Sequence, residues 1–330
     1  MTNAVELFAG PGGMILGLHA AGIRGTGIEW DPNAVATRRA AGLPTIHADV
    51  RNHGPRDFPN ATVLAGGPPC QTFTVAGNGT GRDELDRVVD AVKRMGDRQT
   101  IDPREFNDDR TALVLEPLRW VLEDFEHSYN TIILEQVPQV LPVWEAYADV
   151  LREEGYSVAT GILATEQYGV PQTRRRAVLI ASLNGPVALP QPTHRPYRKG
   201  VPQHEGDPRL LSWVSMSDAL DRPQPFTVVS NYGTGGDPKN RGRRTSAEPA
   251  FTVTGKVSRN RIIGPGGDEL PRFTSAEAGV LQGFPADHPW SGNDIPQQIG
   301  NACPAPLAAA LAHASRAIPA SSPAIVEAAA

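Results

Sequence analysis

Val5-Glu6-Leu7-Phe8-Ala9-Gly10-Pro11-Gly12-Gly13 opens the chain with a short apolar run that breaks at a glycine-rich turn, and a helical stretch from Gly13 to Ala21 follows at once. A strand that passes through a tight glycine turn into a helix is the first unit of a nucleotide-binding α/β fold, with the turn lying against the ligand. Downstream the same alternation continues. Strands are predicted over Val5 to Phe8, Gly25 to Glu29, Val63 to Ala65, Thr131 to Glu135 and Ala177 to Ala181. Helices are predicted over Gly13 to Ala21, Pro32 to Ala41, Thr111 to Phe125 and Val143 to Glu154. Strands alternating with helices predict a doubly wound, Rossmann-like α/β domain with a parallel sheet covered on both faces.

The turn constrains its ligand. G-x-G-x-x-G would need glycine at position 15, where Ile15 stands, so a pyrophosphate-bearing cofactor is disfavoured. A cofactor with one adenosine and no phosphate, S-adenosylmethionine, fits better; another nucleotide or a plain turn stays open from these glycines alone. Glu29, ending the second strand, is placed to accept from ribose hydroxyls. Asp49 suits an adenine amino group or is simply a loop carboxylate.

Composition sets the class. The 330 residues are 40% hydrophobic and 20% charged, without a run long and apolar enough to cross a membrane. The chain enters an apolar strand without a basic leader, which predicts a cytoplasmic protein. Neither Cys70 nor Cys303 lies in a metal-ligand spacing, so no metal site is expected. Net charge is −5, yet Arg195 to Arg261 holds about twelve Lys and Arg against six Asp and Glu, leaving about −11 elsewhere. That segregation points to a nucleic-acid face, densest at Lys239-Asn240-Arg241-Gly242-Arg243-Arg244, with a solvated loop as the other reading. After Leu183 the sequence turns to Pro, Gly, Arg and Thr, and regular patterning returns near Phe273 with helices at Phe273 to Gln282 and Pro304 to Ala317. The expected division is a catalytic domain over 1–188, a smaller domain over 189–267, a return to the first over 268–318, and a frayed tail from 319. Pro225-Phe226-Thr227-Val228-Val229 is echoed by Ala250-Phe251-Thr252-Val253-Thr254, suggesting two similar strand-loop units or a chance likeness.

Three further stretches carry chemistry. In Gly66-Gly67-Pro68-Pro69-Cys70-Gln71 the prolines stiffen a loop that would present a thiol, a nucleophile or else a buried structural cysteine. Glu135 ends an apolar strand at the sheet's carboxyl edge, where such folds bind ligands. Gln172-Thr173-Arg174-Arg175-Arg176 crowds guanidinium groups suited to phosphates and carbonyls before a buried strand.

Together these residues resemble the DNA cytosine-5 methyltransferases of bacterial or phage type, over nearly the whole length. Phe8 to Gly13 resembles the family's cofactor loop, Gly67 to Gln71 its nucleophile loop, Gln172 to Arg176 its Gln-x-Arg-x-Arg element, and Gln298-Ile299-Gly300-Asn301-Ala302 its last cofactor motif. The basic segment falls where the family carries its target-recognition region, before Leu281-Gln282-Gly283-Phe284-Pro285. Two departures stand out. Gln136 follows Glu135 where the family has Asn, and a charged helical stretch from Asp83 to Met95 is extra.

The resemblance implies S-adenosylmethionine held by Phe8, Ala9, Gly10, Gly12, Gly13, Glu29, Trp30, Asp49, Val50, Pro69, Asn301 and Ala302. It implies catalysis by Cys70, Glu135, Arg174 and Arg176, and contacts to double-stranded DNA from Gln71, Gln172, Arg241, Arg243, Arg244, Lys256 and Arg259. Cys70 would add to C6 of a flipped-out cytosine and so activate C5. The expected partners are DNA and a cognate restriction endonuclease, with the methylase itself a monomer. Alternatives are a tRNA cytosine-5 methyltransferase, whose Cys-Phe-Thr signature is absent, and a catalytically silent DNA-binding relative.

Overall fold

A computed structural model of the chain describes residues 2–69, 80–123, 129–230 and 241–315. Seven strands form the main sheet: β1 (Asn3–Leu7), β2 (Arg24–Glu29), β3 (Thr45–His47), β4 (Val63–Gly66), β5 (Thr131–Gln136), β6 (Ser157–Ala164) and β7 (Arg175–Ser182). Their order is β3-β2-β1-β4-β5-β7-β6. β1 to β5 run parallel, joined by crossovers, so the chain steps outward from β1 in one direction and then returns to the other side at β4. Ligands of open α/β sheets bind at that reversal, above the carboxyl ends of β1 and β4.

The expectation of an all-parallel sheet needs correction at one edge, because β7 is antiparallel to both β5 and β6. Only ten residues separate β6 from β7, too few for a crossover helix, so the chain doubles back. β6 itself carries no strong signal: Ser157-Val158-Ala159-Thr160-Gly161 is small, polar and half-buried at the sheet's rim.

Successive side chains of a strand point to opposite faces, and the core divides accordingly. Val5, Leu7, Leu64, Ile132 and Leu134 face a cluster with Val88, Val92, Leu118, Trp120, Trp144 and Tyr147. Ala4, Val63, Ala65 and Ile133 face the other, with Met14, Ile15, Leu18, Leu307, Ala308 and Leu311. The helices Gly13–Ala20 and Ala305–Ala314 thus cover one face, and Thr80–Gly96, Glu116–Leu122 and Leu141–Glu153 the other. The helix expected from Thr111 to Phe125 is broken into Asp109–Ala112, a 3-10 turn Leu113–Leu115 and Glu116–Leu122; Pro117, without an N–H, restarts it.

A second sheet holds β8 (Thr227–Val229), β9 (Arg243–Thr245), β10 (Arg261–Ile263) and β11 (Glu269–Leu270), in the order β11-β10-β8-β9 and antiparallel throughout. Its inner side chains Val228 and Ile262 pack with Phe226, Met216, Leu281 and Ile299. The echoed segment 250–254 is no second strand of this sheet. Its backbone is diverted to residues 171–173: Ala250 N donates to Pro171 O at 2.9 Å, Thr173 N to Ala250 O at 2.9 Å, and Val253 N to Gln172 Oε1 at 2.8 Å.

Candidate active site

Leu7, Gly66 and Leu134 lie in one row across β1, β4 and β5, so the residues that follow each of them emerge together at the carboxyl edge. Those are the turn Phe8–Gly13, the loop Gly67–Pro69 and Glu135. β7 runs the other way and pairs Ala177 with Gln136, which brings Arg176, one residue earlier, to the same edge. Cys70 and Gln71 lie outside the described residues.

Glu135 is 5% exposed, and its Oε1 lies 2.6 Å from Arg176 Nε as an ion pair. That oxygen nonetheless accepts no aligned hydrogen bond, and it is buried from solvent. Oε2 faces the loop Gly67–Pro69: a Cβ at Gly67 would come within 3.6 Å of it. Beside it, the Gln136 amide donates to the carbonyl of Pro68, two residues before Cys70. Gln136, longer than the family's Asn, therefore still reaches the loop. Cys303 lies within the field of Glu135, Arg174 and Arg176, and burial pushes its thiol well above the usual range, so it is an inert thiol.

The side where a cofactor is expected is built around Glu29. Its Oε2 accepts from Gly10 N and its Oε1 from Asp31 N, both at 2.7 Å, and burial raises its pKa against those two donors. Phe8 (φ 55°) and Gly10 (φ 53°) both take left-handed backbone, costly for phenylalanine and easy for glycine. A Cβ on Gly10 would meet nothing within 4 Å among the described residues, and Trp30 leaves 69% of its surface exposed. Gly12, Gly13 and Ala9 are buried. At Gly13 a Cβ would stand 2.0 Å from Cys303 O, so the turn packs on the chain directly after Asn301, which is exposed, and Ala302, which is buried. Asp49 is held by Arg51 through both oxygens, at 2.5 to 3.0 Å, which depresses its pKa; Val50 beside it is buried.

The turn has a support that sequence reading missed. Arg38, fully buried, donates to Glu6 Oε2 and to Ala9 O, each at 3.0 Å. Burial pushes the Glu6 carboxyl up against the pull of that guanidinium. An arginine in the helix Pro32–Ala40 reads as solvated, and only the topology, which packs this helix against β2 and β3 so that Arg38 reaches across to Glu6 of β1, shows otherwise.

Three residues expected at the site are engaged within the protein. Gln172 is 0% exposed; its amide donates to Leu281 O at 2.8 Å and Gln282 Oε1 at 2.5 Å, so it ties two distant parts of the chain together. Arg174, 2% exposed, donates to Val253 O and Gly300 O at 2.8 Å each, a brace between the segment 250–254 and the segment 298–302. Arg244 lies between the rings of Tyr197 and Phe251, with centroids at 4.6 and 4.8 Å, and donates to Pro249 O at 2.8 Å. On a strand, neighbours alternate faces, so Arg243 points outward where Arg244 points in. Arg241 is half-buried, and Lys256 and Arg259 are exposed; Lys239 and Asn240 lie outside the described residues.

Solved structures place the fold among methyltransferases. The S. pombe Dnmt2 methyltransferase superposes with a TM-score of 0.64 at 20% identity, covering 96% of this chain and 98% of that one. A putative DNA modification methyltransferase of an E. coli prophage gives 0.57 at 18%, covering 94% and 97%. Residues 2–205 match the C-5 cytosine-specific DNA methylases, and the chain belongs to that family. It is a DNA cytosine-5 methyltransferase. Type II methyltransferases M.NgoMIV of Neisseria gonorrhoeae and M.NlaX of Neisseria lactamica are each 28% identical, over 94% and 96% of this chain and 95% and 97% of their own lengths. Among the described residues no helix is long and apolar enough to cross a membrane, and no cluster of His, Cys, Asp and Glu could hold a metal ion.

Proposed function

We propose that the chain transfers a methyl group from S-adenosylmethionine to C5 of a flipped-out cytosine in a specific duplex sequence, through a covalent bond from Cys70 to C6, as the modification half of a restriction system. The observation that supports this most is Glu135: a buried carboxyl with one oxygen lacking an aligned donor, set against the loop that leads to Cys70. A cytosine edge, with its exocyclic amine and N3, matches such a group.

The residues present fit the cofactor. Glu29 suits the ribose hydroxyls, exposed Trp30 an adenine face, and Asp49 with Val50 the adenine edge. When bound, the cofactor supplies a methyl group on a sulfonium centre. Pro68 and Pro69 fix the course of the backbone into Cys70, and Gln136 holds the Pro68 carbonyl, so the thiolate meets C6 in a set direction. Glu135 delivers a proton to N3 and accepts from the exocyclic amine while C6 accepts the sulfur, and C5, made electron-rich, takes the methyl. A water then takes the C5 proton, and the electrons of that C–H bond restore the ring double bond and expel the Cys70 thiolate. Arg176, through its ion pair, keeps Glu135 directed at the base.

The unit over 189–267 reads the DNA, with Arg241, Arg243, Lys256 and Arg259 and, from the catalytic loop, Gln71 as contacts. We expect a cytoplasmic monomer. Bisulfite sequencing of DNA from cells expressing the protein tests the reading: protected cytosines should share one short sequence. Unprotected DNA from cells that contain active cofactor and folded protein would reject it.

A further inference from the structure

The helix Pro32–Ala40 is tied on two sides, and Arg38 accounts for only one of them. Its neighbour Thr37, also fully buried, faces the C-terminal part of the chain through a closed set of hydrogen bonds. Ser291 N donates to Thr37 Oγ1 at 2.9 Å. Gln298 Nε2 donates to Ser291 O at 2.9 Å and to Asn293 O at 3.1 Å. Thr37 Oγ1 lies 2.9 Å from Ser291 O and 2.7 Å from Gln298 Oε1, and a hydroxyl has a single proton to give. Since Ser291 O already receives the Gln298 amide, that proton goes to Gln298 Oε1. The Thr37 proton and both Gln298 amide protons are then each used once. One turn earlier on the same helix, Asn33 Oδ1 accepts from Asn293 N at 2.8 Å. Gly292 is left-handed (φ 76°), and a Cβ there would stand 2.9 Å from Asn33 Cα, so the loop 291–294 lies directly on the helix.

We propose that Thr37 is a positioning residue for the cofactor: through Ser291 and Gln298 it sets the distance between the Glu29–Trp30 edge of the adenosine site and the segment that ends in Asn301 and Ala302. This rests on the methyltransferase reading of the glycine turn. The helix begins directly after Glu29, Trp30 and Asp31, and the Glu29 carboxylate fixes both Gly10 N and Asp31 N. Gln298 opens the segment just before Cys303, on which Gly13 packs. Residues expected around the adenosine thus come from opposite ends of the chain, and Thr37 joins them. Without its hydroxyl the helix keeps its N-cap at Asp31 and the bonds of Arg38, so each segment retains its own fold. What is lost is their mutual placement, and the loss falls on ligand binding, since a site that must be ordered by its ligand binds more weakly than one already in place.

Calorimetric titration of the full chain with S-adenosylhomocysteine tests this. Thr37→Val keeps the shape of the side chain but strands Ser291 N and Gln298 Oε1, and affinity should fall about tenfold. Thr37→Ser, which keeps the hydroxyl, should stay within about threefold of wild type. Tyr156→Phe is the control: it removes a buried bond to Tyr129 O in the cluster of Trp144 and Tyr147, and should lower the melting temperature without changing affinity. Equal affinities of wild type and Thr37→Val overturn the inference. So do equal losses in Thr37→Val and Tyr156→Phe, because the bonds of Thr37 would then serve stability alone. Should Thr37→Val fail to fold, Asn33→Ala at the half-buried end of the same helix decides: a loss of about threefold that Asn33→Asp restores supports the clasp, and no loss overturns it. A wild type that binds no S-adenosylhomocysteine would instead remove the cofactor reading, and this inference with it.

Discussion

At the scale of single residues the account rests on buried charges that have a stated partner. Glu135→Gln keeps the shape of the side chain but removes its carboxylate chemistry, and the methylation rate should fall by roughly 100-fold with DNA affinity retained. Single-turnover kinetics measure this, and wild-type chemistry in that variant would remove Glu135 from the mechanism. Arg38→Met leaves Glu6 buried without its guanidinium and unties Ala9, so stability should drop by about 3–5 kcal/mol in urea unfolding. A loss under about 1 kcal/mol would mean that the pair is dispensable. Glu135 was legible in sequence because it ends an apolar run at a sheet edge. Arg38 was not, since whether a helical arginine meets water or a carboxylate depends on which strand lies beneath it.

At the scale of elements, what counts is the face a residue takes. The arginines of β9 are adjacent in sequence yet differ in role. Arg244→Ala should cost about 1–3 kcal/mol of stability through the lost ring contacts and the carbonyl bond, whereas Arg243→Ala should leave stability within about 0.5 kcal/mol and weaken DNA binding, flattening its salt dependence. Thermal melts and binding titrations at several salt concentrations separate the two, and equal effects on both readouts would contradict the strand assignment. A charge count along the chain could locate the basic segment but not sort its members, because alternation can be applied only once a strand is known, and Arg243-Arg244-Thr245 carries no apolar pattern to announce one. The repeat at 250–254 misled for a related reason: a β-prone string pairs with whatever backbone is near, and here that is the 171–173 segment. β1, β4 and β5 were legible because, buried on both faces, they read as nearly continuous apolar runs.

For the whole molecule, the two glycine- and proline-rich loops matter because the topology reverses between β1 and β4 and sets them side by side. Gly13 binds this arrangement to the C-terminal part of the chain, and Gly13→Ala should weaken cofactor binding and cost about 1–3 kcal/mol, since its Cβ meets backbone that cannot yield easily. The antiparallel β6–β7 edge brings Arg176 to Glu135, and Gln172, Arg174 and Gln282 bind the second sheet's segment to the last cofactor motif. The motifs located the two loops and Glu135 at one sheet edge from sequence, while the braces between them, all long-range, did not show. The central claim is that Cys70 attacks C6 of a cytosine brought to Glu135. The most direct measurement is trapping on a duplex carrying 5-fluorocytosine at the methylated position with S-adenosylmethionine present, because fluorine at C5 blocks the final elimination. The account predicts a stable protein–DNA adduct on a denaturing gel, mapped to Cys70 by mass spectrometry and absent in Cys70→Ser. No adduct, or one mapped to another residue, would contradict it.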